Sequence, residues 1–292
     1  ENLIVILVIL QNIVNMDVKK MSNPITQISV NKVFYPLTDI LYYTRNTGVY
    51  IGHPLETPKH KYAIKKPIPI GRVNLVKKEA NTLRQIIHPN VVRYIDHSED
   101  PTEPYLVMEL VDETLDGLIW REKISKEIIV KYLLQMPSFL NLFHRLGIAH
   151  TNINPGNIGY DISMNLKILD FSDAISCQYP SKQKIKCNSA AVLSPEFLLN
   201  DEINPLTDTY CAARVLECLL FGDYIVADEP ITTIQEHYGH LPDSFFTLYR
   251  MMTKENPLER LKGLNLQKRV EEVIFDLEHV EVFTSNLFAN EK

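Results

Sequence analysis

The feature that most constrains this chain is a change of hydrophobic period near residue 112. From about Val33 to Val111, short runs rich in Val, Ile and Tyr alternate with turns, as in Lys61-Tyr-Ala-Ile-Lys65 and Tyr105-Leu-Val-Met-Glu109, and these read as strands. One helix interrupts them. It is expected over Val76 to Ile87, with Val76, Ala80, Leu83 and Ile87 on one face, and His88-Pro89-Asn90 stops it. After Leu115 the pattern turns helical: Ile128 to Leu146 carries apolar residues at three and four spacing, and Asp208 to Phe221 is so nearly apolar throughout that it reads as a buried helix. A strand-rich part followed by a helix-rich part is an α+β arrangement, and the cleft between two such parts is where ligands usually sit.

Composition narrows the function classes. The chain of 292 residues is 45% apolar and 23% charged, ordinary for a globular protein with a real core. A formal net charge of −6 argues against gripping nucleic acid or anionic lipid, both of which demand a basic surface. The expected partner is another protein, as binding partner or as substrate. Cys177, Cys187, Cys211 and Cys218 lack the paired spacing of a zinc ribbon and the density of a disulfide scaffold, so reduced thiols and a cytoplasmic location are expected. Leu3 to Leu10 form an unbroken apolar run with no charge between Glu1 and Asp17, yet Gln11, Asn12 and Asn15 interrupt it before the ~20 apolar residues a spanning helix needs, and it lacks the basic start of a signal peptide. It reads as non-spanning, unless residues 1–16 are the end of a membrane helix. Because the chain opens on Glu1, it is either a fragment or an extension upstream of a start at Met16 or Met21.

Five segments then fall in an order that matters. Tyr62-Ala-Ile-Lys65 ends a strand, the turn His88-Pro89-Asn90 closes the helix that carries Glu79, His150-Thr-Asn-Ile-Asn-Pro-Gly-Asn157 precedes the strand Asn165 to Leu169, Asp170-Phe171-Ser172 follows that strand, and Ser194-Pro195-Glu196 comes later with Arg260. Singly each is commonplace: Lys65 and Glu79 could be solvated charges, and Met108 a core methionine. Together, over about Val33 to Val273, they resemble the eukaryotic protein kinases. The resemblance implies a bilobal kinase fold with a small β-rich N-lobe and a larger α-helical C-lobe. The expected division is a segment 1–32, N-lobe and hinge 33–112, C-lobe 113–276 and a tail 277–292.

The resemblance also assigns roles. Lys65 matches the lysine that pairs the α- and β-phosphates of ATP, and Glu79 the glutamate that holds it. Val49, Ala63 and Met108 would line the base pocket, and backbone groups of Glu109 to Val111 would meet the adenine edge. Asn157 and Asp170 match the two Mg²⁺ ligands, a hard carboxylate with an amide oxygen. With Val49 at the valine of the glycine-rich loop, the three glycine positions fall on Tyr42, Thr44 and Thr47, leaving only Gly48 and Gly52 nearby, so closure over phosphates is expected to be poor. Gly159 stands where the family has a bulky apolar residue under the adenine, so one wall of the pocket is expected to be missing. ATP and Mg²⁺ binding is therefore expected to be weak. Ser172 replaces the glycine of the D-F-G motif, which is expected to restrict the backbone.

The catalytic loop departs most. The family places there an Asp that accepts the substrate hydroxyl proton; this chain has Asn152, with no basic lone pair at neutral pH. Asn154 stands in place of a lysine that faces the transferring charge, and Thr151 in place of the arginine that anchors a phosphorylated activation segment. Asp208 matches the aspartate that hydrogen-bonds the catalytic-loop backbone, or is simply a favourable carboxylate at a helix N-terminus. The expectation is a pseudokinase, with a divergent, weakly active serine/threonine kinase as the alternative. Pro104 to Leu115 is also similar to the hinge of the kinase part of unfolded-protein-response receptor kinase/ribonucleases, although the roughly 20 residues after Val273 are too few for that ribonuclease.

Overall fold

In the computed structural model the described residues are 27–30, 33–43, 47–68, 73–98, 100, 104–176, 181–182, 194–200, 202–223 and 231–279. The apolar run Leu3 to Leu10, Met16, Met21, Thr44, Cys177 and Cys187 lie outside them. Strands β1 (Gln27–Val30), β2 (Val33–Tyr43), β3 (Thr47–Gly52), β4 (Tyr62–Pro67), β5 (Tyr94–His97) and β6 (Leu106–Glu109) form one antiparallel sheet in the order β1-β2-β3-β4-β6-β5. The sheet starts one strand earlier than the sequence pattern indicates.

Strand alternation sorts this sheet into two faces. Ile64, Val107, Tyr35 and Tyr105 make a small cluster on the outer face, whereas Ala63, Leu106 and Met108 join the main core. That core continues through helix α1 (Val73–Leu83), which lays Val76, Ala80 and Leu83 on the inner face, and into the second lobe. Helix α1 corrects the expected boundary: it ends at Leu83, and Ile87 is 98% exposed. Pro89 bars the helix only from continuing through His88, since a residue before proline is pushed out of the α region, and the chain leaves the helix sooner. The chain tightens through Gln85 N–H to Thr82 O and Ile86 N–H to Leu83 O, which turns Ile86 inward in place of Ile87.

After β7 (Glu113–Thr114) the chain is mainly helical: α2 (Leu115–Trp120), α3 (Lys126–Leu146), α4 (Pro195–Asn200), α5 (Thr207–Phe221), α6 (Ile231–His237), α7 (Asp243–Met252) and α8 (Gly263–His279). Ser125 caps α3 at Ile128 N–H, and Gly147, with φ 61°, closes it in the left-handed region that glycine tolerates. Helix α5 is the buried helix expected: every residue except Tyr210 and Phe221 is buried, and Tyr132 of α3 donates to Ala212 O at 2.8 Å. Each fully buried Leu or Phe there contributes roughly 1.5–3 kcal/mol. Between α3 and α4 run the short strands β8 (Ile148–Ala149), β9 (Ile158–Tyr160), β10 (Leu166–Ile168) and β11 (Ile175–Ser176), which present the residues considered next. The His88-Pro89-Asn90 turn docks on this lobe through Asn90, whose side chain donates to Gln135 Oε1 and Leu166 O. Among the described residues no helix is long and apolar enough to cross a membrane.

Candidate active site

Three charged side chains from distant positions meet at the base of the cleft. Lys65 Nζ, from within β4, lies 2.7 Å from Glu79 Oε2 on α1 and 2.7 Å from Asp170 Oδ1 just after β10. Glu79 also takes the backbone N–H of Phe171 on its other oxygen at 3.1 Å, so one buried carboxylate ties helix α1 to both Lys65 and the Asp170-Phe171-Ser172 turn. Burial works against the Lys65 ammonium, but Asp170 and Glu79 outweigh it and hold its pKa above the ordinary value. Burial raises the Glu79 carboxyl to about 7 against the pull of Lys65, while Asp170, although burial opposes it, is held well below the carboxylate range by Lys65. Asp170 sits at φ 58°, a left-handed conformation a non-glycine residue holds only when its neighbours fix it. Ser172 lies outside that region, so the serine in place of glycine causes no backbone strain there.

The catalytic-loop residues hang from buried supports. Asp208 accepts the N–H groups of His150 at 2.6 Å and Thr151 at 3.0 Å; burial raises its carboxyl to about 7, with those two donors pulling the other way. The His150 ring is fully buried, packs edge-on against Phe171 at 4.7 Å, and its Nε2 donates to Leu169 O at 2.9 Å. Burial lowers its pKa to about 4, so the ring is neutral and its Nδ1 accepts Asn152 N–H at 3.3 Å. Thr151, β-branched and at φ 69°, donates its hydroxyl to Asp173 O at 3.4 Å.

From this platform three asparagines interlock. Asn154 Nδ2 donates to Asn152 Oδ1 at 2.8 Å and Asn152 O at 2.9 Å, Asn157 Nδ2 donates to Asn152 O at 2.9 Å, and Asn154 Oδ1 accepts Gly156 N–H at 2.9 Å. Leu169 N–H donates to Asn157 O at 2.9 Å, which brings Asn157 beside Asp170. Asn157 Nδ2 is committed to Asn152, so its Oδ1 is the side-chain atom a cation could use, and Asp170 Oδ1 already serves Lys65 and Ser172 N–H. An amide oxygen with a carboxylate is a donor set that suits Mg²⁺, which takes few protein ligands and completes its shell with phosphate and water. No group of three or more His, Cys, Asp or Glu that could hold a metal occurs among the described residues.

The base end of the cleft departs from expectation in one respect. Ala63 and Met108 face each other across β4 and β6, and Val49 packs against the same core. A Cβ on Gly159 would lie 2.9 Å from Val111 Cγ2, so the wall expected to be missing there is occupied by the Val111 side chain. Glu109 N–H is engaged by Arg93 O and Asp112 N–H by Tyr160 O, and between them Leu110 and Val111 run outside the sheet. Sequence reasoning also missed Lys167, which reaches Glu109 Oε1 at 3.1 Å and couples the hinge to β10. A lysine three residues before Asp170 in an otherwise apolar strand was the available signal. The two glycines near the phosphate loop have packing roles: a Cβ on Gly48 would meet the Tyr50 ring at 2.8 Å, and one on Gly52 would collide with Ile64 Cδ1.

Farther out, Arg260 and Glu196 form a buried bidentate pair, with both nitrogens at 2.7 Å, and Thr207 donates to the same carboxylate. This pair latches the Pro195-Glu196 segment to the segment that carries Arg260.

Comparison with known proteins agrees with this geometry. The family model described as "Protein kinase domain" matches residues 55–284. The chain is 29% identical over 184 residues to the SNF1-related protein kinase catalytic subunit alpha KIN12 of Arabidopsis thaliana, covering 61% of this chain and 37% of that protein. It is 30% identical over 165 residues to the serine/threonine-protein kinase DCLK1 of Rattus norvegicus, covering 54% and 38%, and 28% identical over 182 residues to the probable serine/threonine-protein kinase MARK-A of Dictyostelium discoideum, covering 60% and 17%. The chain thus spans less than two fifths of the length of each of these relatives.

Proposed function

The chain belongs to the protein kinase family, and from that premise we propose that it is a pseudokinase: a kinase-fold domain that holds ATP and Mg²⁺ weakly in its cleft and acts by binding or regulating another protein. The observation that carries this reading is the hydrogen bond from Asn154 Nδ2 to Asn152 Oδ1 at 2.8 Å. In phosphoryl transfer the hydroxyl oxygen of a protein substrate attacks the γ-phosphorus, the bond to the β–γ bridging oxygen breaks, and the hydroxyl proton must leave. An amide has no lone pair that takes this proton at neutral pH. Loss of a general base forfeits ~10²–10⁴ in rate, and replacing the neighbouring lysine by Asn154 removes a positive charge facing the transition state.

What remains supports binding. Lys65, held by Glu79, would pair the α- and β-phosphates, and Asn157 with Asp170 would hold the metal. Held there, Mg²⁺ would supply positive charge to neutralise the phosphates. The relatives named as protein kinases, and the acidic net charge of −6, support a protein as the partner.

A weakly active serine/threonine kinase is the second reading. It is favoured by the complete Lys65–Glu79–Asp170 arrangement, since this chemistry depends largely on positioning and metal electrostatics. The test is the melting temperature with and without ATP and Mg²⁺, for the parent chain and for Lys65→Ala and Asp170→Ala, followed by a sensitive phosphotransfer assay. A ligand selective for the native state raises the midpoint. The expected result is a shift that both substitutions abolish, with no transfer; no shift at saturating ATP sinks the nucleotide-binding reading, and transfer that Asp170→Ala abolishes selects the second.

A further inference from the structure

Tyr42 lies directly across from Val49 in the β2–β3 pairing, and Val49 directly across from Lys65 in the β3–β4 pairing. Directly opposed residues project to the same face of a sheet. Tyr42, Val49 and Lys65 therefore stand in a row on one face. It is the face of Ala63, Leu106 and Met108, because residues of the other parity, among them Ile64 and Val107, form the separate outer cluster. Tyr42 thus hangs from the roof of the cleft, at the end where Lys65 and Asp170 meet.

Two further observations define its reach. The side chain is 63% exposed, so it is not absorbed into the core beside Val49. Its hydroxyl also senses charges on both sides of the cleft: burial raises its pKa first, the carboxylates of Asp170 and Asp116 add to the rise, and Lys65 opposes them. Lys65 belongs to the sheet, whereas Asp116 lies in the first turn of α2 on the opposite lobe.

A triphosphate bound by Lys65, and by a metal on Asp170, has to lie between that pair and the backbone of β2 and β3. A residue without a side chain leaves this volume open. We propose that Tyr42 is a gate on the phosphate end of the cleft: its ring stands in the path of the triphosphate and must turn outward before a nucleotide with phosphates can seat, while the base end stays accessible. This deepens the reading of the cleft as a nucleotide site and rests on it. Apparent affinity falls by the fraction of molecules in the competent state, so a ring turned outward about a tenth of the time weakens Mg·ATP binding about tenfold.

The experiment is titration calorimetry of the full chain with Mg·ATP and, separately, with adenosine, using the parent, Tyr42→Phe, Tyr42→Gly and Tyr42→Ser. Melting temperatures without ligand confirm that each variant is folded. Tyr42→Gly and Tyr42→Ser are expected to bind Mg·ATP about tenfold more tightly than the parent, Tyr42→Phe to resemble the parent, and adenosine to bind all four alike. Unchanged or weaker Mg·ATP binding in both the Gly and Ser variants overturns the gate, as does an equal gain for adenosine. Failure of the underlying nucleotide reading is separate: it is shown by a parent chain that binds no adenosine, whereas the gate is judged on the difference in Mg·ATP binding between parent and variants.

Discussion

Asn154 donates an amide N–H to Oδ1 of Asn152 at 2.8 Å, and this one hydrogen bond decides what the catalytic loop offers a substrate. Asn152 spends its acceptor oxygen within the loop, and Asn157 and Asn154 both donate to its backbone carbonyl. The loop keeps the shape its frame requires. Its supports are intact, from Asp208 beneath the His150 and Thr151 amides to the buried His150 ring. On the reading proposed above, geometry and chemistry are separated here: the scaffold that would aim a base persists, and an amide stands at the base position.

That separation predicts a gain of function. Asn152→Asp changes an amide to a carboxylate of nearly the same shape, and Asn154 Nδ2 already stands at hydrogen-bonding distance from its Oδ1 position. The charge-assisted bond that results is about twice as strong as the neutral one. Phosphotransfer to a generic protein substrate should rise by ~10²–10⁴, the usual contribution of a general base, and Asn152→Asp with Asn154→Lys should exceed the single variant. Radiolabel transfer from ATP measures this. If neither variant exceeds the parent, the defect lies in nucleotide seating and not in the base.

Gly159 and Val111 make a second pair whose sizes are coupled. A Cβ at 159 would come within 2.9 Å of Val111 Cγ2 and 3.1 Å of Glu113 O, so there is no room for the bulky residue the kinase pattern favours. Gly159→Leu should destabilise the fold by about 1–3 kcal/mol through overpacking, and Val111→Ala in the same chain should recover much of that loss. Urea denaturation of the two single variants and the double variant tests the coupling through its departure from additivity. Additive losses would mean that the two side chains do not share the space.

Much of this arrangement was legible in the residues because it depends on period and order. The buried helix Thr207–Phe221 announces itself by near-continuous apolarity, and Lys65, Glu79, Asn157 and Asp170 by their order along the chain; the structure brings Lys65, Glu79 and Asp170 into direct contact. Other features were hidden because they depend on which side chain fills a space. Gly159 reads as an absence until Val111 is seen to occupy it, and Tyr42 reads as a lost glycine until strand register sets it in line with Lys65. The end of α1 was misread for a local reason: the unwinding before Pro89 reaches back to Leu83 and exchanges Ile86 for Ile87, which periodicity alone does not register.

Two histidines, His150 buried and His144 half-buried, should give the fold a characteristic acid sensitivity. Burial lowers the pKa of both His144 and His150 to about 4, from an ordinary value of 6.5. The folded-state pKa lies below the unfolded one, so between pH 6.5 and 4 the unfolded chain binds more protons and stability falls as pH falls through that window. Glu79 and Asp208 act in the opposite sense, because burial raises both to about 7 and the folded state then holds the extra proton. A single pH profile therefore mixes opposing slopes, and the informative quantity is a difference between two chains. His144 pairs with the Thr209 hydroxyl and with the Pro205 backbone, and Lys262 is the charge that adds to the lowering, so His144→Gln removes one histidine while the Asp208 bonds to His150 and Thr151 keep their own partners. Subtracting the variant's unfolding free energy from the parent's should leave a slope on the order of 1 kcal/mol per pH unit over that window, positive with pH, and flat above it. Urea unfolding at four or five pH values measures it, and a parallel pair of profiles would show that His144 is not held neutral by burial.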